Sequence, residues 1–96
     1  MTGAKHLMDH NNNVNNFLLL NLDKLHTTDM GIVRIKKNLS IDTEDVIGWC
    51  KEKIKNPSSS INRRGKNWYV TIDNYIITIN AYSYTVITAH VIKKAR

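Results

Sequence analysis

His90 closes the stretch YTVITAH (84–90), two residues after Thr88 and three before a lysine pair. Imidazole is the side chain whose ordinary pKa suits proton transfer in either direction near neutrality. Together with hydroxyl donors and cations it could cleave RNA without a metal. A base takes the 2′-hydroxyl proton, donors hold the extra charge on phosphorus, and an acid protonates the leaving oxygen. In that chemistry His90 is the proton carrier, Thr88 its neighbouring hydroxyl and Lys66 its cation. Arg63, Arg64 and Lys66 form the expected phosphate clamp, Tyr69 and Thr78 add donors, and the rings of Tyr82 and Tyr84 could stack on bases. The same groups would also suit a non-catalytic, regulatory surface for nucleic acid, a nucleotide or a protein partner, with His90 only a hydrogen-bonding residue.

The placement of charge points to a partner class. The chain carries a net charge of +6. Residues 1–56 hold eight Lys/Arg against seven Asp/Glu, net +1, whereas residues 57–96 hold six against Asp73 alone, net +5. Basicity gathered in one half suggests RNA or another polyanion. Other chemistries lack their residues. There is no GxxxxGK[ST] phosphate loop, and Gly65–Lys66 reads as a turn glycine beside a surface lysine. There is no CxxC pair and no HExxH, so no metal or cofactor is expected. His6 and His10 have the spacing of two ligands on a helix, without a third at a matching distance. The lone Cys50 excludes an internal disulfide and reads as a buried structural thiol in a reducing compartment. No apolar run approaches the roughly 18 residues that cross a bilayer. MTGAKHLMDHNNNVNN shows no apolar core ahead of a cleavage site, so a cytoplasmic location is expected.

The elements that must position these residues follow from periodicity. The length of 96 residues suits one domain with one modest core. Residues 1–13, with their asparagine cluster, read as a disordered lead, and residues 14–96 as a single α+β domain. Val14, Phe17, Leu18, Leu22 and Leu25 recur at helical intervals. Thr27 or Thr28 can cap a second helix over about 30–38, with Ile32, Ile35 and Leu39 on one side; His26 falls in the connection before it. Asp42 or Thr43 can cap a third, whose buried stripe is Val46, Ile47, Cys50 and Ile54 with Trp49 beside it, and which Asn56–Pro57 ends. A helix-turn-helix reading fails on charge, because Asp42, Glu44 and Asp45 would face the DNA phosphates.

KNWYVTID, YIITINA and YTVITAHVI are β-rich, and SSSINRR can add a fourth strand. A two-residue turn at Asp73–Asn74 sets Val70 opposite Ile77 and Trp68 opposite Ile79. A loop centred on Ser83 then sets Ile87, Ala89 and Val91 opposite Ile79, Ile77 and Tyr75. The other face carries Tyr69, Thr78 and Thr88 in one row and Thr71, Ile76 and His90 in the next. About three N-terminal helices are therefore expected to cover the apolar face of a C-terminal antiparallel sheet of three to four strands, leaving the polar face open. The last strand would be an edge through which a dimer could form.

GKNWYVTID followed by IITINAYSYTVITAH resembles the signature of a small bacterial domain family, mostly from Firmicutes, of unknown function. The resemblance spans about residues 17–93 and implies no activity. More distantly, helices followed by an antiparallel sheet with this closing strand are similar to the barnase, EndoU, colicin and RelE superfamily of ribonucleases and toxin domains. That similarity implies metal-free RNA cleavage on the open sheet face. His90 and Thr88 match the closing strand, and Lys66 matches a basic residue entering the sheet. The chain departs from the pattern in having no glutamate on the polar face and one histidine in the sheet, where EndoU-like members use two.

Overall fold

The computed structural model describes residues 17–92. Within them a helical stretch over 17–20 runs into a 3-10 helix, Leu22–Lys24, followed by α1 (Asp29–Leu39) and α2 (Val46–Lys55). Strands β1 (Ser60–Arg64), β2 (Asn67–Ile72), β3 (Tyr75–Asn80) and β4 (Val86–Val91) then form an antiparallel sheet in chain order. The architecture is α+β, as the periodicity predicts, with SSSINRR supplying the fourth strand. Val14, the expected disordered lead and the His6–His10 pair lie outside the described residues.

Both α1 and α2 begin where a side chain can satisfy a free N–H group. Thr28 caps α1, its hydroxyl accepting from Gly31 N at 3.0 Å. α2 starts later than expected. Asp45, rather than Asp42 or Thr43, is its cap, with Oδ1 accepting from Gly48 N at 2.9 Å. Thr43 instead accepts from Asp45 N at 3.1 Å and shapes the approach. The start at Val46 makes the first helical residue a core residue. Asn56 ends α2 ahead of Pro57.

Two turns and one bulge set the sheet. Gly65 (φ 61) allows the β1–β2 turn and Asp73 (φ 55) the β2–β3 turn. Val70 pairs with Ile77 and Trp68 with Ile79, as expected. The β3–β4 register holds from Tyr75–Val91 to Thr78–Thr88 and then shifts, so that Val86 rather than Ile87 opposes Ile79. Ile87 is the extra residue of a bulge. It is 38% exposed while Val86 is 1% exposed. The expected Ile87–Ile79 pairing is thereby corrected: the bulge lets β4 return Val86 to the core.

The core lies between the helices and one sheet face. Trp68, Val70, Ile77, Ile79, Val86 and Ala89 meet Leu18, Leu22, Leu25, Ile35, Leu39, Val46, Cys50 and Ile54. Phe17, on the expected first apolar stripe, stays 54% exposed. The chain between the 3-10 helix and α1 extends the sheet at one point: His26 N donates to Tyr84 O (3.1 Å), and Val86 N donates to His26 O (2.7 Å). Thr27 Oγ1 adds a bond to Val86 O at 2.8 Å. The outer edge of β4 is thus covered over 84–86.

Candidate nucleic-acid interface

Register assigns the polar face residue by residue, because neighbours on a strand point to opposite sides. Three rows cross it: Ser60–Thr71–Ile76–His90, Asn62–Tyr69–Thr78–Thr88 and Arg64–Asn67–Asn80. His90 is exposed and lies in a shallow groove with Asn38, Ile76, Val91 and Ile92. Asn38 Nδ2, at the end of α1, donates to Thr88 Oγ1 at 3.4 Å. The structure therefore brings His90 and Thr88 together, with Asn38 beside them. Thr78 is buried at 8% exposure, out of reach of a ligand that stays on the surface.

Lys66 is not part of that group. It occupies the β1–β2 turn, beyond the row of Asn67. Four residues along the strands and two strands across separate the Asn67 row position from His90, about 16 Å by ordinary sheet spacings. The expected His90–Thr88–Lys66 constellation is split between two corners of the sheet.

The expected cationic arm is split as well. Arg63 opposes Trp68 on the side of the core, and Arg64 opposes Asn67 on the polar side. The Arg63 guanidinium carbon lies 5.6 Å from the ring centroids of both Trp68 and Tyr82, and its Nε donates to Gly65 O at 2.8 Å. Arg64 lies 6.0 Å over Tyr69. Tyr82 is 73% exposed. Tyr84 is not a free stacking platform: it takes φ 61, packs 5.4 Å from Trp68 and carries Lys24 Nζ at 5.8 Å. Ala81 N donates to Lys66 O at 2.8 Å and ties the β3–β4 loop to the β1–β2 turn. Arg63, Arg64, Lys66, Tyr69 and Tyr82 therefore cluster at one end of the sheet, on both of its sides.

Sequence reasoning assigned no role to the loop network at this end. Asn80 Oδ1 accepts from Tyr82 N (2.9 Å) and Ser83 N (3.0 Å), and Ser83 Oγ stands 3.2 Å from it. Ser83 Oγ lies 2.7 Å from Thr85 Oγ1, which lies 3.0 Å from His26 Nε2. His26 Nδ1 lies 2.9 Å from Lys24 O. A carbonyl only accepts, so Nδ1 is the donor to Lys24 O, and Nε2 is left to pair with the Thr85 hydroxyl, which can both donate and accept. His26 and Thr85 are 59 positions apart, and the single bridge joining them leaves no periodic signal. Asn67 Oδ1 and Trp68 Nε1 are buried here without partners. Each such group costs about 1–3 kcal/mol.

Cys50 takes no part. It is fully buried, and burial pushes its thiol up to about 12, which disfavours the thiolate at neutral pH. Among the described residues no three His, Cys, Asp or Glu side chains converge as metal ligands, and no helix is long and apolar enough to cross a membrane.

No curated protein and no solved structure matches the chain. The family model described as protein of unknown function DUF3781 matches residues 19–90, which takes in the 3-10 helix, α1, α2, the whole sheet but its last residue, and both corners of the polar face. The chain belongs to the DUF3781 family.

Proposed function

We propose that the protein binds RNA, or a related phosphate polyanion, at the end of the sheet formed by the β1–β2 turn and the β3–β4 loop, and that it does not cleave what it binds there. The observation that carries this reading is Arg63 within 5.6 Å of the ring centroids of both Trp68 and Tyr82, with Arg64 6.0 Å over Tyr69 and exposed Lys66 in the intervening turn. A guanidinium held near aromatic rings by cation–π attraction can still offer N–H groups to phosphate oxygens. Here Nε is engaged by Gly65 O, which leaves the two terminal amino groups. Cations interleaved with aromatic faces are what a single strand's phosphates and bases require. Cleavage is disfavoured because proton transfer works within hydrogen-bond reach: His90 sits at the other corner, and both ring nitrogens of His26 are engaged, by Lys24 O and Thr85 Oγ1.

Fluorescence anisotropy with a labelled RNA oligonucleotide, repeated over a range of salt, tests the reading. Each phosphate contact contributes about 0.7 to the slope of log affinity against log salt for a single strand. Arg63→Ala and Lys66→Ala should each lower that slope by about this amount. Lys53→Ala, at the Asp73 end of the sheet, should leave it unchanged. Absence of binding by the folded protein, or affinity indifferent to salt, would overturn the proposal. RNA incubated with the protein in EDTA should stay intact. Products with 2′,3′-cyclic phosphate ends that vanish in His90→Ala would restore cleavage.

A further inference from the structure

The row Arg64–Asn67–Asn80 does not stop at β3. Asn80 N donates to Thr85 O at 2.8 Å, and Thr85 is bridged to His26. The side chains follow the same course. Ser83 Oγ touches both Asn80 Oδ1 and Thr85 Oγ1, and Thr85 Oγ1 touches His26 Nε2, so these groups share one surface. A continuous polar track therefore crosses five segments of backbone: Arg64, Asn67, Asn80, Thr85 and His26. Four strand spacings make it about 19 Å long.

We infer that this track is the path of a single-stranded RNA segment, entering at Arg64 and leaving at His26. The inference rests on the polyanion reading above and narrows it to one substrate form. Apart from the Arg64 cation, the track consists of amides, hydroxyls and an imidazole. Such groups both donate and accept, which suits base edges and ribose hydroxyls; Asn67 can offer only its amide N–H, since its Oδ1 is buried. A duplex hides its base edges and offers a flat surface chiefly phosphates, whereas a single strand splays its bases. Tyr69, half-buried beside Arg64, gives a base a ring to stack on at the entry. The exit has a hydroxyl that is free to turn. Ser83 has two alternative acceptors, Asn80 Oδ1 and Thr85 Oγ1, so its proton can be redirected to a ribose or phosphate oxygen while the rest of the chain stays paired. His26 is fixed from behind by Lys24 O and keeps Thr85 aligned. In this arrangement His26 is a positioning residue for the exit, and no bond of the RNA is broken.

Two measurements on the folded, full-length chain test the path. The first is an amide NMR titration of the unaltered protein with a single-stranded RNA oligonucleotide. Shift changes should run from Arg64 through Asn67, Asn80, Ser83 and Thr85 to His26. Changes that stop at Asn67, or that stay around Trp68 and Tyr82 on the other side, overturn the path. The second compares affinity for that oligonucleotide with affinity for its duplex at one salt concentration. The single strand should bind at least tenfold tighter. Ser83→Ala, an exposed substitution, should weaken single-strand binding severalfold and leave duplex binding unchanged. Equal affinity for both forms refutes the path and leaves the polyanion reading standing. Binding of neither form removes both.

Discussion

Cys50 shows how burial alone decides what a reactive residue type can do. Its thiol is fully enclosed in the apolar stripe of α2, and desolvation raises its pKa from 9.0 to about 12. The folded chain therefore holds the thiol proton more tightly than the unfolded chain. The stability this represents is fully present below the unfolded value and is lost as pH climbs from about 9 towards about 12. Cys50→Ala should be less stable than the parent protein at pH 8. The gap between their urea midpoints should narrow steadily above pH 9, since the variant has no thiol to ionise. A constant gap would mean that the thiolate is tolerated in the core. At neutral pH a water-soluble disulfide reagent should label Cys50 only as fast as the protein unfolds. This outcome was readable in the sequence, because Cys50 stands in phase with Val46, Ile47 and Ile54. The arginines were only half readable. Their type pointed to phosphate, but adjacent positions on a strand face opposite ways, and Arg63 and Arg64 meet different sides of the sheet.

At the scale of elements, two glycines look alike in sequence and differ in what surrounds them. Gly31 and Gly48 each stand three residues after a cap, and a methyl group on either would collide with a capping or neighbouring oxygen. At Gly48 the obstacle is the exposed Asp45 carboxylate, which can swing aside. The lost cap bond, about 1 kcal/mol, is offset by the helix propensity that alanine gains over glycine, about 1 kcal/mol. Gly48→Ala should therefore be close to neutral. At Gly31 the obstacle is Thr27 Oγ1, which is held by its 2.8 Å bond to Val86 O. Gly31→Ala must break that bond or shift α1, at a cost of about 1–3 kcal/mol on top of any lost cap bond, so even after the same propensity gain it should be the more destabilising of the two. Chemical denaturation of the two variants separates the cases, and equal effects would mean that Thr27 is not fixed. From α1 onwards element existence is legible, because the caps, Pro57 and the period-two strands agree with one another, whereas the expected first helix breaks at Asn21 into a helical stretch and a 3-10 turn. The bulge at Ile87 was not legible. The alternation in TVITAHV reads cleanly with Ile87 inward, and only the five-residue loop over 81–85, closed by Asn80, turns Val86 inward in its place.

The two halves of the whole molecule are not independent layers. The segment before α1 supplies Leu18, Leu22 and Leu25 to the core, at 0%, 9% and 5% exposure, and then joins the sheet edge through His26. The sequence showed the apolar stripe but not the bridge, since pairing across 59 positions depends on where β4 ends in space rather than on any local pattern. This is also why the expected grouping of Lys66 with His90 does not form: the histidine that reaches the basic end of the sheet is His26, from the helical half. The core side of this connection can be weighed. Leu18 is fully buried against the sheet, and truncating such a leucine to alanine costs about 2–5 kcal/mol. For a domain of this size each kcal/mol moves the melting temperature by about 4–8 °C. Leu18→Ala should therefore melt about 10 °C or more below the parent protein. It should also speed hydrogen exchange at His26 and Val86, whose backbone bonds depend on that segment staying docked. A large drop in melting temperature with unchanged exchange at those two amides would mean that the bridge holds without the core beneath it. The proposed path would then owe its exit to the sheet edge alone.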